Sequence, residues 1–129
     1  MFEKVKPEYI SFGKDKFPYV CDMRVLEQIQ NKYEDLIVFE DKLLGIEPYF
    51  AENGDRDRAK DGKKIPDINV ACSVLLMMME EGAYVTASEI TLPTLDELKM
   101  QGEYSLYEIV EFVHAEYMKN FIAGRGRKN

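Results

Sequence analysis

Chemistry in a small protein needs side chains that converge, and this chain of 129 residues offers few of the right types. Its one histidine, His114, falls one step round from the apolar stripe of a helical segment. An imidazole in that position packs or is solvated more often than it moves protons. Cys21 and Cys72 lie far apart, each in apolar surroundings, with no CxxC and no histidine nearby, so they read as two buried reduced thiols. The stretch DRDRAKDG at 55–62 superficially resembles a calcium loop. Counting Asp55 as position one, the sixth position is Lys60 instead of glycine, and the twelfth is Pro66 instead of a bidentate glutamate. GKDK at 13–16 lacks the spacing of a phosphate-binding loop, and no Ser, Cys or Lys stands in a nucleophile motif. Glu80 and Glu81, and Glu108, Glu111 and Glu116, fall where a solvated helix face is expected. The expectation is a non-enzyme with no catalytic, cofactor-binding or metal-ligating residues.

What remains is surface. In DINVACSVLLMMMEEG, residues 67–82, Val74 to Met79 are apolar without a break. Met77, Met78 and Met79 either fill gaps in a core or form a partner-binding surface, since unbranched thioethers repack against varied targets at low cost. Adjacent helical residues point about 100° apart. All three therefore cannot face one way, and at least one should face something other than the main core.

The elements that would carry these residues read as an α+β chain, mainly α-helical, with a short N-terminal hairpin followed by about four to five helices. Residues 1–21 hold two runs, Val5, Tyr9, Ile10, Phe12 and Phe17, Tyr19, Val20, Cys21, around a GKDK turn. Pro7 and Pro18 imply short or edge strands. In 22–45, Asp22 caps a helix with a Met23, Leu26, Ile29, Tyr33 stripe. After a break near Glu34 and Asp35 a second helix closes at Gly45. Residues 46–66, rich in charges of both signs, read as an exposed, low-order loop. The half from 67 to 124 opens with Pro66 and Asp67, and Gly82 is expected to end its first helix. Thr94 with Glu97 and Ser105 with Glu108 match capping boxes. The last helix buries Leu106, Ile109, Val110, Val113, Tyr117 and Phe121 and stops at Gly124, leaving 125–129 as a disordered basic tail. Residues 1–129 make a single domain.

The bulk properties exclude some partners. A net charge of −7 disfavours nucleic acid and anionic membrane. The opening MFEKVKPEYISFG has no apolar run after its charges, so it does not read as a signal peptide. No unbroken apolar stretch approaches the roughly 20 residues that span a bilayer. The expected location is cytoplasmic.

The hairpin YISFGKDKFPYVCD running into MRVLEQIQNKYED, then INVACSVLLMMMEEGA after a variable loop, then LPTLDELKM and LYEIVEFVHAEYMKNFI, resembles the tail assembly chaperones of long-tailed bacteriophages and prophages. The likeness covers most of residues 8–122 through pattern, with a loop at 47–66 more charged than the family's. It implies a small, acidic, helical homo-oligomer in the bacterial host cell. Such a protein coats the aggregation-prone tape-measure protein until tail-tube protein, a further partner, assembles around it. It carries no catalytic residues. Many members also gain a longer form by ribosomal frameshifting near the gene's end. The slippery heptamer A AAA AAC reads as a codon ending in A, then Lys, then Asn, and this chain closes Arg127-Lys128-Asn129. Two other readings stay open. One is a small acidic immunity or antitoxin-like inhibitor, with Glu103, Glu108, Glu111 and Glu116 as its binding face. The other is a minor structural component of a virion.

Overall fold

Two short strands begin the chain because GKDK interrupts two runs of alternating aromatic and β-branched residues. The computed structural model describes residues 4–123. Strand β1, Glu8–Phe12, pairs antiparallel with β2, Asp15–Tyr19, and Phe12 faces Asp15 across the two-residue turn Gly13-Lys14. Gly13 takes φ 63°, the left-handed conformation such tight turns require. Ile10, Phe17 and Tyr19 point inward from the ribbon. A two-residue turn makes its closing pair a hydrogen-bonded one, so pairs alternate from there and Tyr9 faces Pro18 in a non-bonded pair. The N–H that Pro18 lacks would therefore have pointed away from β1, which is how a proline sits inside a strand.

That far edge of β2 is covered by a helix. α3, Ile68–Val85, lies so close that Val20 N–H donates to the Met78 carbonyl at 3.0 Å. A methyl group on Gly82 would collide with the Pro18 carbonyl and the Tyr19 Cα. Gly82 thus does not end the helix, as its position suggested; the helix continues through it for another turn, and the glycine permits backbone-to-backbone contact. α3 is the central element: it packs on β2, α1, α2, α4 and α5. By length and composition it could cross a membrane, but most of it is buried in the fold.

The other helices follow their caps. Asp22 accepts from Val25 N to start α1, Met23–Lys32, which buries Val25 and Ile29 with Leu26 and Tyr33 alongside. Met23, expected in that stripe, is 79% exposed, because Val25 and Ile29 define the buried face and Met23, two residues before Val25, lies about 200° round the helix from it. Glu34 reverses the chain at φ 72°, and Asp35 caps α2, Leu36–Leu44, whose left-handed C-cap is Gly45. Residues 86–93 have no regular structure. Both capping boxes form, at α4, Leu95–Met100, and α5, Leu106–Met118. A π-helical turn, Lys119–Ala123, extends α5. The expectations for Gly124 and the tail 125–129 lie outside the described residues.

The segment expected to be low-order has its own framework. Strands β3, Ile46–Glu47, and β4, Gly62–Lys63, pair antiparallel, and a 3-10 turn spans Arg58–Lys60. Arg56 grips both Asp41 oxygens of α2, at 2.8 and 2.9 Å, and Asp61 at 2.7 Å. The guanidinium holds the Asp61 carboxyl below the usual carboxylate range. Mixed charges read as solvation in the sequence, but here three of them form one shielded cluster that pins the loop to α2.

Gly82→Ala tests the α3–β2 contact. In a free helix interior the change gains about 1 kcal/mol. Here the backbone of β2 cannot yield cheaply, and we expect a net loss of at least about 2 kcal/mol in denaturant unfolding.

Candidate functional site

The methionine run divides between core and surface. Met78 and Met79 are fully buried in the main cluster with Val74, Leu75, Ile109 and Val113. They are therefore not available as the partner surface expected of them. The helix turns these two toward β2 and α5, and Met77 alone of the three keeps partial exposure. The methionines that face outward are Met23 and Met100, 79% and 82% exposed. Their isolation in polar segments hid them beside the conspicuous run.

The carboxylates assigned to solvent divide likewise. Glu81 is only 4% exposed, where the end of α3 meets the start of α1. Arg24, itself largely exposed, places Nε 3.3 Å from Glu81 Oε2 without an aligned hydrogen bond, and its guanidinium lies 4.6 Å over the Tyr84 ring. Burial, then a hydrogen bond with Asp22 and the charge of Asp22, push the Glu81 carboxyl up to about 7 against the pull of Arg24. The Asp22 that acts on Glu81 across the α1–α3 junction also serves as the α1 cap. Periodicity could have found Glu81: it falls on the face of Val74 and Met78, at seven and three residues' distance.

Glu116 is also buried, and Lys119 Nζ reaches its Oε2 at 2.9 Å. It shares the face of Ile109 and Val113 by the same spacing. Glu103 bonds to the Gly13 amide at the hairpin turn. Of the four glutamates expected to face an inhibitor's partner, Glu116 alone is buried, and Glu103, Glu108 and Glu111 stay exposed. His114 lies half-buried on α5, Nε2 3.3 Å from Glu40 Oε2, and ties α5 to α2. Cys21 and Cys72 are buried thiols that form no disulfide, and burial raises Cys72 above the usual thiol range.

An open cleft of about 480 Å³ lies between β1 and the first two turns of α5. Its floor is apolar, from Ile10, Leu75, Ile109 and Phe112, and Tyr9 and Tyr104 flank it. Glu108 and Glu111 stand on its rim. Such a floor with an anionic rim holds a ligand by burial and charge; it brings together no nucleophile and base. No protein-family model, curated protein or solved structure matches this chain.

Two outcomes follow from these positions. A carboxyl raised in the folded state makes the fold bind more protons than the unfolded chain between pH about 4.5 and 7. Stability should therefore be full below that window and fall as pH rises through it, by on the order of 3 kcal/mol. Glu81→Gln should flatten this profile in denaturant titrations from pH 5 to 8 and be the more stable form at pH 8. Met78→Asp should cost more than about 3 kcal/mol by burying an unpaired carboxylate, while Met77→Asp leaves the midpoint nearly unchanged.

Proposed function

We propose that this chain is a tail assembly chaperone of a long-tailed bacteriophage or prophage, a self-associating protein of the host cytoplasm that binds the tape-measure protein during tail morphogenesis. The observation that carries this reading is the order of the elements. A hairpin passes through Cys21 and Asp22 directly into an amphipathic helix, and a mainly buried apolar helix follows an independent loop. A short capped helix then precedes a long one. This is the order that the resemblance to that family rests on.

Charge and surface chemistry support the same reading. A net charge of −7 keeps a coated, aggregation-prone client in solution. Exposed Met23 and Met100, with half-exposed Met77, offer adaptable side chains to a long helical client whose register varies along its length. An inhibitor of a single basic toxin is favoured less, since burial of Glu116 removes one of the four carboxylates it would use.

The test is co-expression with the long heptad-bearing protein encoded in the same gene cluster. Its soluble yield should rise severalfold and the two should co-purify. Met23→Asp with Met100→Asp should remove that effect while far-UV dichroism stays native. An unchanged client yield beside a well-folded chain counts against the proposal. Expression from the natural gene with its downstream DNA adds a second readout: intact mass should show a minor longer product branching at Lys128 or Asn129.

A further inference from the structure

We propose that the cleft between β1 and α5 is a docking groove for an extended cationic polypeptide segment, which adds to β1 as a third strand. The two edges of the hairpin differ. That of β2 is closed, by Pro18, which has no donor, and by Val20 N–H bonded to Met78 O. That of β1 is open: the pairing register turns the N–H and C=O of Tyr9 and Ser11 away from β2 and toward the cleft. Ser11 demonstrates the direction, because its carbonyl accepts the Tyr104 hydroxyl at 2.8 Å from across the groove. The main-chain groups of Tyr9 have no such partner among the described residues, and its side chain is 60% exposed. An incoming strand can therefore exchange both hydrogen bonds with Tyr9, the geometry of an antiparallel bonded pair.

Charge selects the occupant. Glu108 and Glu111 are exposed on the rim, and no lysine or arginine among the described residues lines the cleft. Glu108 spends one oxygen on the Ser105 amide and keeps its charge, and Glu111 has no ion-pair partner among the described residues. Edge strands are commonly guarded by lysine against unwanted pairing. This edge faces carboxylates, which admit a basic segment and reject an acidic one. A second copy seated here would bring its own two carboxylates against the first pair, so the fit is to a different, basic chain. The apolar floor takes the alternate side chains of that strand. The inference does not rest on the chaperone reading: rescue of a client through the exposed methionines can fail while the groove binds, and the reverse.

The probe is an acetylated, amidated hexapeptide alternating valine and lysine, read by anisotropy and by amide chemical shifts of the whole chain. Saturable binding is expected, with shifts concentrated at Tyr9–Ser11 and Ile109–Phe112. A peptide methylated at the main-chain nitrogens of its lysines, the residues set opposite Tyr9 when valine faces the floor, keeps the charge but loses those donors and should bind about tenfold more weakly. Glu111→Lys should weaken the parent peptide by at least about tenfold. Tyr9→Pro, which removes both the ring and the outward donor at a position opposite Pro18, should bind the peptide more weakly than Tyr9→Ala, which removes the ring alone, with the hairpin dichroism retained in both. The proposal is overturned by no saturation up to about 1 mM, by equal affinity for the N-methylated peptide, or by shifts confined to another face. It is likewise overturned if rising protein concentration alone shifts the same amides, since a second copy then fills the groove.

Discussion

The fold turns on the distance between α3 and β2. A two-stranded ribbon is marginal by itself, because half of its backbone polar groups lack a partner. Here α3 supplies one through the Met78 carbonyl, and it can come that near only because residue 82 has no side chain. The close approach has a second effect. It carries Glu81, next to Gly82, into the junction where the hairpin ends at Cys21 and Asp22 starts α1. A carboxyl there meets a second carboxylate and little water, so its titration is pushed up toward neutrality. Hairpin stability, helix contact and the unusual acid thus have one cause. Each would relax if the helix moved away by the thickness of a methyl group.

Much of the architecture was legible because it is written in local rules. Caps and breaks mark themselves: Asp22, Asp35, Thr94 and Ser105 each accept a helix N–H, and Gly45 takes the left-handed conformation. The pattern of strand, reversal and helix needs only neighbours within a few positions. The misread features are those whose meaning comes from distant residues. Gly82 looks like a stop until Pro18 is placed beside it. Arg56 looks solvated until Asp41, fifteen positions earlier, closes on it. The methionine run left core and surface both open, because consecutive apolar residues must diverge around a helix, and only the placement of the elements around α3 decides which of the three are covered. The cleft was the least accessible of all, since β1 and α5 are joined by almost the whole chain and only packing brings Ser11 to Tyr104.

Core and surface divide the labour in a physically sensible way. The rigid part is internal and apolar, and the chemistry offered outward is soft: thioethers, a few aromatic rings, an excess of negative charge. Arg56 shows how the long charged loop avoids competing with that surface, since its one well-shielded cluster anchors the segment to α2 and keeps it away from the β1–α5 side. His114 and Glu40 brace the opposite seam. Partner contacts can then change without disturbing the core that presents them.

Pro18 carries one more implication. A ribbon with two open edges can be extended indefinitely, strand upon strand, which is the route to fibres. This ribbon is sealed on one side by a residue with no donor and by the helix pressed against it. Edge pairing between molecules through this ribbon must stop at two, so even at high concentration the hairpin is a terminator of sheet growth and never a link in it.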